Sequence, residues 1–232
     1  MFILGIETST KTGSVAVVSE NGVIAQYSLN IEVTHSERLM STVDRVLKDI
    51  GIPLADMDGF AVAIGPGSFT GLRIGLAAIK GLAFATGKPV VAVPTLKALA
   101  WNLPQACHPV CPLLDARKNE VYAALYHYQG PELVQLMPEM NIPITELAAK
   151  TSGTVLFTGE ASRLYRGAIE LAMGERAQFA PMTACLPSAA AVGELGLGML
   201  QNGEQTEPDN LVPLYIRRPE AEVAWEKRQT SR

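Results

Sequence analysis

The sequence predicts an α/β chain of two lobes, each a mixed sheet with flanking helices, the second lobe reduced. Three observations carry this. Apolar runs joined by hairpin signals give way to alternating helix and strand patterns, a glycine-rich strand–turn–helix stretch occupies residues 60–86, and the opening pattern restarts after Pro104. With 232 residues, 48% hydrophobic and 18% charged, the chain suits two compact lobes of roughly 100 residues each.

The first lobe is assigned to residues 1–104. Residues 2–6 form an apolar strand, Glu7-Thr8-Ser9-Thr10-Lys11-Thr12-Gly13 is a polar turn, and 14–18 resumes as a strand. Asn21-Gly22 is a hairpin signal leading to a third strand over 23–29, so three antiparallel strands come first. Thr34 is placed as an N-cap with Glu37 completing a capping box, and Leu39, Met40, Val43, Val46, Leu47 and Ile50 mark one face of a helix that ends at Gly51. Residues 60–64 are an unbroken apolar strand, interrupted by Gly65-Pro66-Gly67. Ser68 or Thr70 then caps a helix that the chain leaves at Gly87. In that helix Gly71 and Gly75 share one face, while Ala77, Gly81 and Ala85 form another small-residue row. Each interior glycine costs about 1 kcal/mol of helix propensity, so the pattern predicts close approach of another backbone, from the sheet beneath or a helix alongside. A strand over 89–93 and a helix over 95–103 complete the lobe.

The second lobe is assigned to 105–218, with a charged tail at 219–232. Residues 110–114, the acidic Asp115, a polar turn through Lys118-Asn119 and a strand over 121–126 repeat the first motif, Asp115 answering Glu7 as in an internal duplication. A strand over 133–137, a helix over 144–150, a strand over 154–158 and helices over 162–173 and 188–201 follow, before a polar loop at 203–210.

A net charge of −4 argues against a chain that grips nucleic acid by itself, while leaving room for a local basic patch. Cys107, Cys111 and Cys185 are an odd set, read as reduced thiols. With no basic n-region and Glu7 so early, the start does not read as a signal peptide, and no membrane span is expected; the expectation is a cytoplasmic protein. Hydrolase signals are weak, because Ser68 is outside a G-x-S-x-G elbow and His35, His108 and His127 lie in separate segments. Cys107-His108-Pro109-Val110-Cys111 is too crowded for a metal site. Gly65-Pro66-Gly67-Ser68 lacks the Lys-Ser or Lys-Thr of a Walker loop. The hydroxyl-rich turn Glu7, Thr8, Ser9, Thr10 reads first as a capped turn and second as a weak nucleotide-binding candidate.

Three blocks, G-P-G-S-F-T-G-L-R-I-G at 65–75, D-A-R-K-N-E-V-Y-A-A at 115–124 and P-L-Y-I-R-R-P-E-A-E at 213–222, resemble the TsaB (YeaZ) family over nearly the whole chain. The resemblance implies an actin-like, sugar-kinase and heat-shock ATPase fold. It also implies a non-catalytic subunit that supports a catalytic TsaD-type partner in threonylcarbamoyl transfer to tRNA adenosine beside the anticodon. A TsaE-type ATPase, tRNA reached only through the complex, and a homodimer in the absence of partner complete the implied associations. No cofactor is expected to bind tightly, with weak ATP or ADP and magnesium at the complex interface. Catalytic relatives carry two metal-binding histidines four apart on the helix after the last strand of the first lobe; Thr95 and Leu99 stand there in this chain. The family's docking helices map onto Arg38, Leu39, Met40, Val43, Gly71, Leu72, Arg73, Gly75, Leu76 and Ile79 as partner-binding residues, and Gly75→Leu is expected to leave a folded monomer. The alternative is a stand-alone actin-like ATPase or metallopeptidase-like enzyme using Glu7, Thr10 and Asp115.

Overall fold

Two sheets of the same design account for the restarted sequence pattern. In the computed structural model, which describes residues 1–30 and 35–217, the first sheet comprises β1 (Phe2–Glu7), β2 (Thr12–Ser19), β3 (Gly22–Asn30), β4 (Gly59–Gly65) and β5 (Val90–Pro94) in the order β3-β2-β1-β4-β5. The first three pair antiparallel, and β4 and β5 continue the sheet in parallel. Helices α1 (His35–Ile50) and α2 (Phe69–Thr86) cover one face, burying Leu39, Val43, Leu76 and Ile79 against Leu4, Ile6 and Phe60. Ser68 caps α2 by accepting from Gly71 N at 3.2 Å, and Gly87 closes it in the left-handed conformation at φ 68°. The Thr34 cap and the tail beyond Arg217 lie outside the described residues.

α3 (Thr95–Trp101) links the lobes, and the second sheet then repeats the first. Strands β6 (Val110–Arg117), β7 (Glu120–Gln129), β8 (Glu132–Pro143), β9 (Val155–Thr158) and β10 (Ala177–Phe179) lie in the order β10-β9-β6-β7-β8, which is the first order read from the other edge. The duplication extends to the turns: Glu7 accepts from Ser9 N, and Asp115 accepts from Arg117 N at 2.9 Å, each carboxylate holding the amide two residues on. The reduction lies in the helices. α4 (Ile144–Lys150) has 7 residues where α1 has 16, and the counterpart of α2 is broken in two. The single helix expected over 162–173 separates into α5 (Glu160–Leu164) and α6 (Arg166–Met173) at Tyr165, whose φ of −106° and ψ of 18° leave the helical region while its hydroxyl reaches Asp115 Oδ1 at 3.1 Å. The short strand β10 carries too few residues to show a period.

α7 (Ala189–Gln201), read with the second lobe in sequence, packs on the first sheet. Its Val192 and Leu195 join Ile3, Val18 and Ala61, while α3 sends Leu96, Leu99 and Ala100 into a cluster with Val110, Leu114 and Tyr126 of the second sheet. Each lobe thus supplies a helix to the other's core. Glycines permit the approach: a Cβ on Gly5 would strike the Ala189 carbonyl, and one on Gly196 would strike Ala61. The first-turn amides of α7 are held by the opposite lobe, Ala189 N donating to Ser14 Oγ at 3.2 Å and Ala190 N to Gln26 Oε1 at 3.0 Å.

Candidate functional site

The glycine face of α2 is seated on its own sheet. Gly71, Leu72, Gly75, Leu76 and Ile79 are all buried, Thr8 Oγ1 donates to the Gly71 carbonyl at 2.8 Å, and a Cβ on Gly75 would collide with that same hydroxyl. Leu39 and Val43 of α1 are buried in the same core, at 6% and 3% exposure. Of the ten residues expected at a partner surface, these seven are interior, because the small-residue row serves helix–sheet contact and α1 turns its leucine–valine stripe inward. Gly75→Leu therefore cannot leave the lobe undisturbed, contrary to the sequence expectation. Arg38, Met40 and Arg73 are the three that reach the surface.

What α2 does present outward is its second small-residue row. Ala77, Gly81 and Ala85 are exposed, a Cβ on Gly81 would meet nothing within 4 Å, and Phe84 beside them is 93% exposed. Met40 on the adjoining α1 is 49% exposed. A fully solvated phenylalanine next to a surface glycine is a knob beside a shallow recess, the kind of relief that admits another helix at close range. Sequence reasoning noticed the row but not Phe84, whose i+3 spacing from Gly81 was the available signal. α2 has 18 residues and mean hydropathy 1.2, long and apolar enough to cross a membrane by composition, yet its Leu72, Leu76, Ile79 and Leu82 are buried within the protein.

The hydroxyl turn is largely self-satisfied. Thr8 serves Gly71, Thr10 Oγ1 accepts from Thr12 N at 3.2 Å, and Ser9 O accepts from Ser68 N at 2.6 Å, pinning the turn to the start of α2. Gly67 is required there, since a Cβ would strike Ser9 O. Glu7 is fully buried, and burial pushes its carboxyl up to about 7 against the opposing pull of its bonds to Ser9. Its Oε2 has no hydrogen-bond partner of ordinary geometry, and Ser9 Oγ lies close enough to favour the charged form. At the positions where histidines would clamp a metal, Thr95 is buried with Oγ1 accepting from Gly65 N at 3.1 Å, and Leu99 is buried against the second sheet. Among the described residues no three His, Cys, Asp or Glu side chains gather to form a metal site.

This fold and these blocks can be set beside known proteins. A family profile described as TsaD, tRNA N6-adenosine threonylcarbamoyltransferase, matches residues 23–225. The tRNA threonylcarbamoyladenosine biosynthesis protein TsaB of Bacillus subtilis is 34% identical over 97% of this chain and 98% of its own length. The chain belongs to the TsaB (YeaZ) family. YeaZ from Pseudomonas aeruginosa superposes on this TsaB-family chain with a TM-score of 0.79 at 29% identity, covering 92% of this chain and 99% of that one. A ROK hexokinase from Thermus thermophilus, at 12% identity, reaches a TM-score of 0.50 over 88% of this chain and 100% of its own. That likeness is one of fold alone, and it agrees with the actin-like and sugar-kinase architecture that the family resemblance implied.

Proposed function

We propose that this chain is the non-catalytic subunit that docks a catalytic TsaD-type transferase in the biosynthesis of threonylcarbamoyladenosine on tRNA. The observation that carries the reading is the fate of residues 95 and 99. A metal that polarises a carbonyl or phosphoryl group needs strong donors with lone pairs aimed at one point. Thr95 spends its hydroxyl oxygen on the β4–α2 turn, and Leu99 is a core hydrocarbon. Both positions have become packing positions, which fits a chain that kept the fold and lent the chemistry to a relative.

Docking falls on the outward rows of α1 and α2, with Met40, Ala77, Gly81 and Phe84 as anchors and Arg38 at the rim. Helices of 16 and 18 residues span about 24 and 27 Å, long enough for a four-helix contact with an equivalent pair. The same surface would carry a homodimer when the partner is absent, since related folds offer related surfaces. A TsaE-type ATPase joins the assembled complex, and weak ATP or ADP with magnesium belongs to the interface with the partner. The local bonds of Thr8 and Thr10 favour this over a nucleotide site within the chain. Phe84→Asp tests the reading. It should leave the unfolding midpoint unchanged and reduce co-sedimentation with a TsaD-type subunit at least tenfold. Unaltered association would remove α2 from the interface.

A further inference from the structure

The last described stretch, 211–217, runs as a strap from one lobe to the other. Leu211 is buried in the first core, Leu214 N donates to the Ile64 carbonyl at 2.7 Å, and Arg217 Nη1 donates to the Ala116 carbonyl of the second lobe at 2.8 Å. Along its course it assembles exposed rings and cations. Tyr215 stacks on Phe69 with centroids 5.0 Å apart, and Arg73 lies over the Phe69 ring at 3.8 Å while its Nε donates to Tyr215 Oη at 2.9 Å. Phe69 and Tyr215 remain 38% and 36% exposed. Two residues on, Arg217 sits beside the β6–β7 turn, whose exposed Arg117 and Lys118 are both held at positive φ, 63° and 57°. Tyr122 lies within electrostatic reach of Arg217 and Arg117, joining this end to the same surface.

Acids share this stretch and have partners of their own. Glu120 lies 3.6 Å from Arg217 and accepts from Asn141 Nδ2 at 2.7 Å, and Asp115 accepts from Arg117 N and Tyr165 Oη. Among the described residues four cations, Arg73, Arg117, Lys118 and Arg217, lie along this surface, with Asp115, Glu120 and Glu160 set among them. Arg117, Lys118 and Asn119 hold successive positive φ values at the tip of this surface.

We propose that this strap surface is a contact for unpaired RNA, with phosphates on the arginines and lysine and bases on the Tyr215–Phe69 rings. Guanidinium groups match phosphate oxygens in a fork, and exposed rings offer stacking that only splayed bases can use; a duplex hides its base faces. The proposal rests on the reading of the chain as part of an RNA-modifying complex, and deepens it by giving this subunit its own hold on the substrate. Phe69 and Arg73 open α2, so this surface adjoins the docking row, but Arg117 and Tyr215 lie on neither α1 nor α2, and variants there and at Phe84 let the two readings fail separately.

The test is fluorescence anisotropy of a labelled anticodon stem-loop RNA with the full-length chain, at salt from ~50 to ~200 mM. Binding should weaken with salt, Arg117→Gln should lower the log–log salt slope by about 1, and Tyr215→Ala should weaken affinity about tenfold. Arg117→Gln keeps its backbone donation to Asp115, so it reports on charge even where Tyr215→Ala loosens the strap. A blunt duplex RNA should bind more weakly than the loop. No patch-dependent binding, equal binding of loop and duplex, or a slope unmoved by Arg117→Gln overturns the proposal. Loss of TsaD-type partner capture by Arg117→Gln with RNA binding intact would instead mark a protein interface and likewise overturn it. Partner capture lost only in Phe84→Asp leaves it standing.

Discussion

Replacing Glu7 by glutamine isolates the cost of a buried carboxylate. In the folded chain this carboxyl is pushed from the ordinary 4.5 up to about 7, first by burial, with the bonds to Ser9 opposing. The folded state therefore holds a proton that the unfolded state releases between those values. Stability contributed by the neutral acid is fully present below pH 4.5, declines as pH rises through 7, and above that is lost. At 1.36 kcal/mol per pH unit, the loss comes to about 3 kcal/mol. Glutamine is neutral throughout and keeps an oxygen to accept from Ser9 N. Urea unfolding of parent and variant at pH 5, 6, 7 and 8 reads the difference between two profiles, which cancels every other titrating group. The variant should match the parent near pH 5 and gain up to about 3 kcal/mol by pH 8. Parallel profiles across that window, or a variant less stable at pH 8, would refute the argument that Glu7 is ionised at a cost.

Three further outcomes follow from the packing. Gly75→Leu should lower stability by at least about 1–3 kcal/mol in thermal unfolding, because its side chain must displace Thr8 from the Gly71 carbonyl. Thr95→Val leaves the Gly65 amide without an acceptor in the core, and denaturant titration should record a loss of about 1–3 kcal/mol. Asp115→Ala removes two hydrogen bonds that tie the β6–β7 turn to Tyr165, so the unfolding midpoint should fall while co-sedimentation with the partner is retained.

Much of the architecture was legible in the sequence because it depends on local period and punctuation. The apolar runs, Asn21-Gly22, Ser68 and Gly87 each act within a few residues, and the restart of the motif at Val110 announces a second sheet like the first, while the order of the strands shows only in the fold. The family resemblance marked residues 95 and 99 as the positions of the catalytic relatives' histidines; Leu99 has no lone pair to give, while the engagement of the Thr95 hydroxyl with the Gly65 amide shows only in the fold. Local signals could not say which side of α2 faces inward. Gly71-Gly75 and Ala77-Gly81 are both small-residue rows, and only the position of Thr8 in the turn after β1 decides that the first is filled and the second open. The destination of α7 was likewise undetermined: its apolar composition fits either sheet, and glycines at 5, 193 and 196, far apart in sequence, choose the first. The sequence by itself determined the two repeated lobes and the Ser68 and Gly87 boundaries of α2. The tertiary structure alone decided which surfaces remain for partners, because exposure depends on what the rest of the chain leaves uncovered.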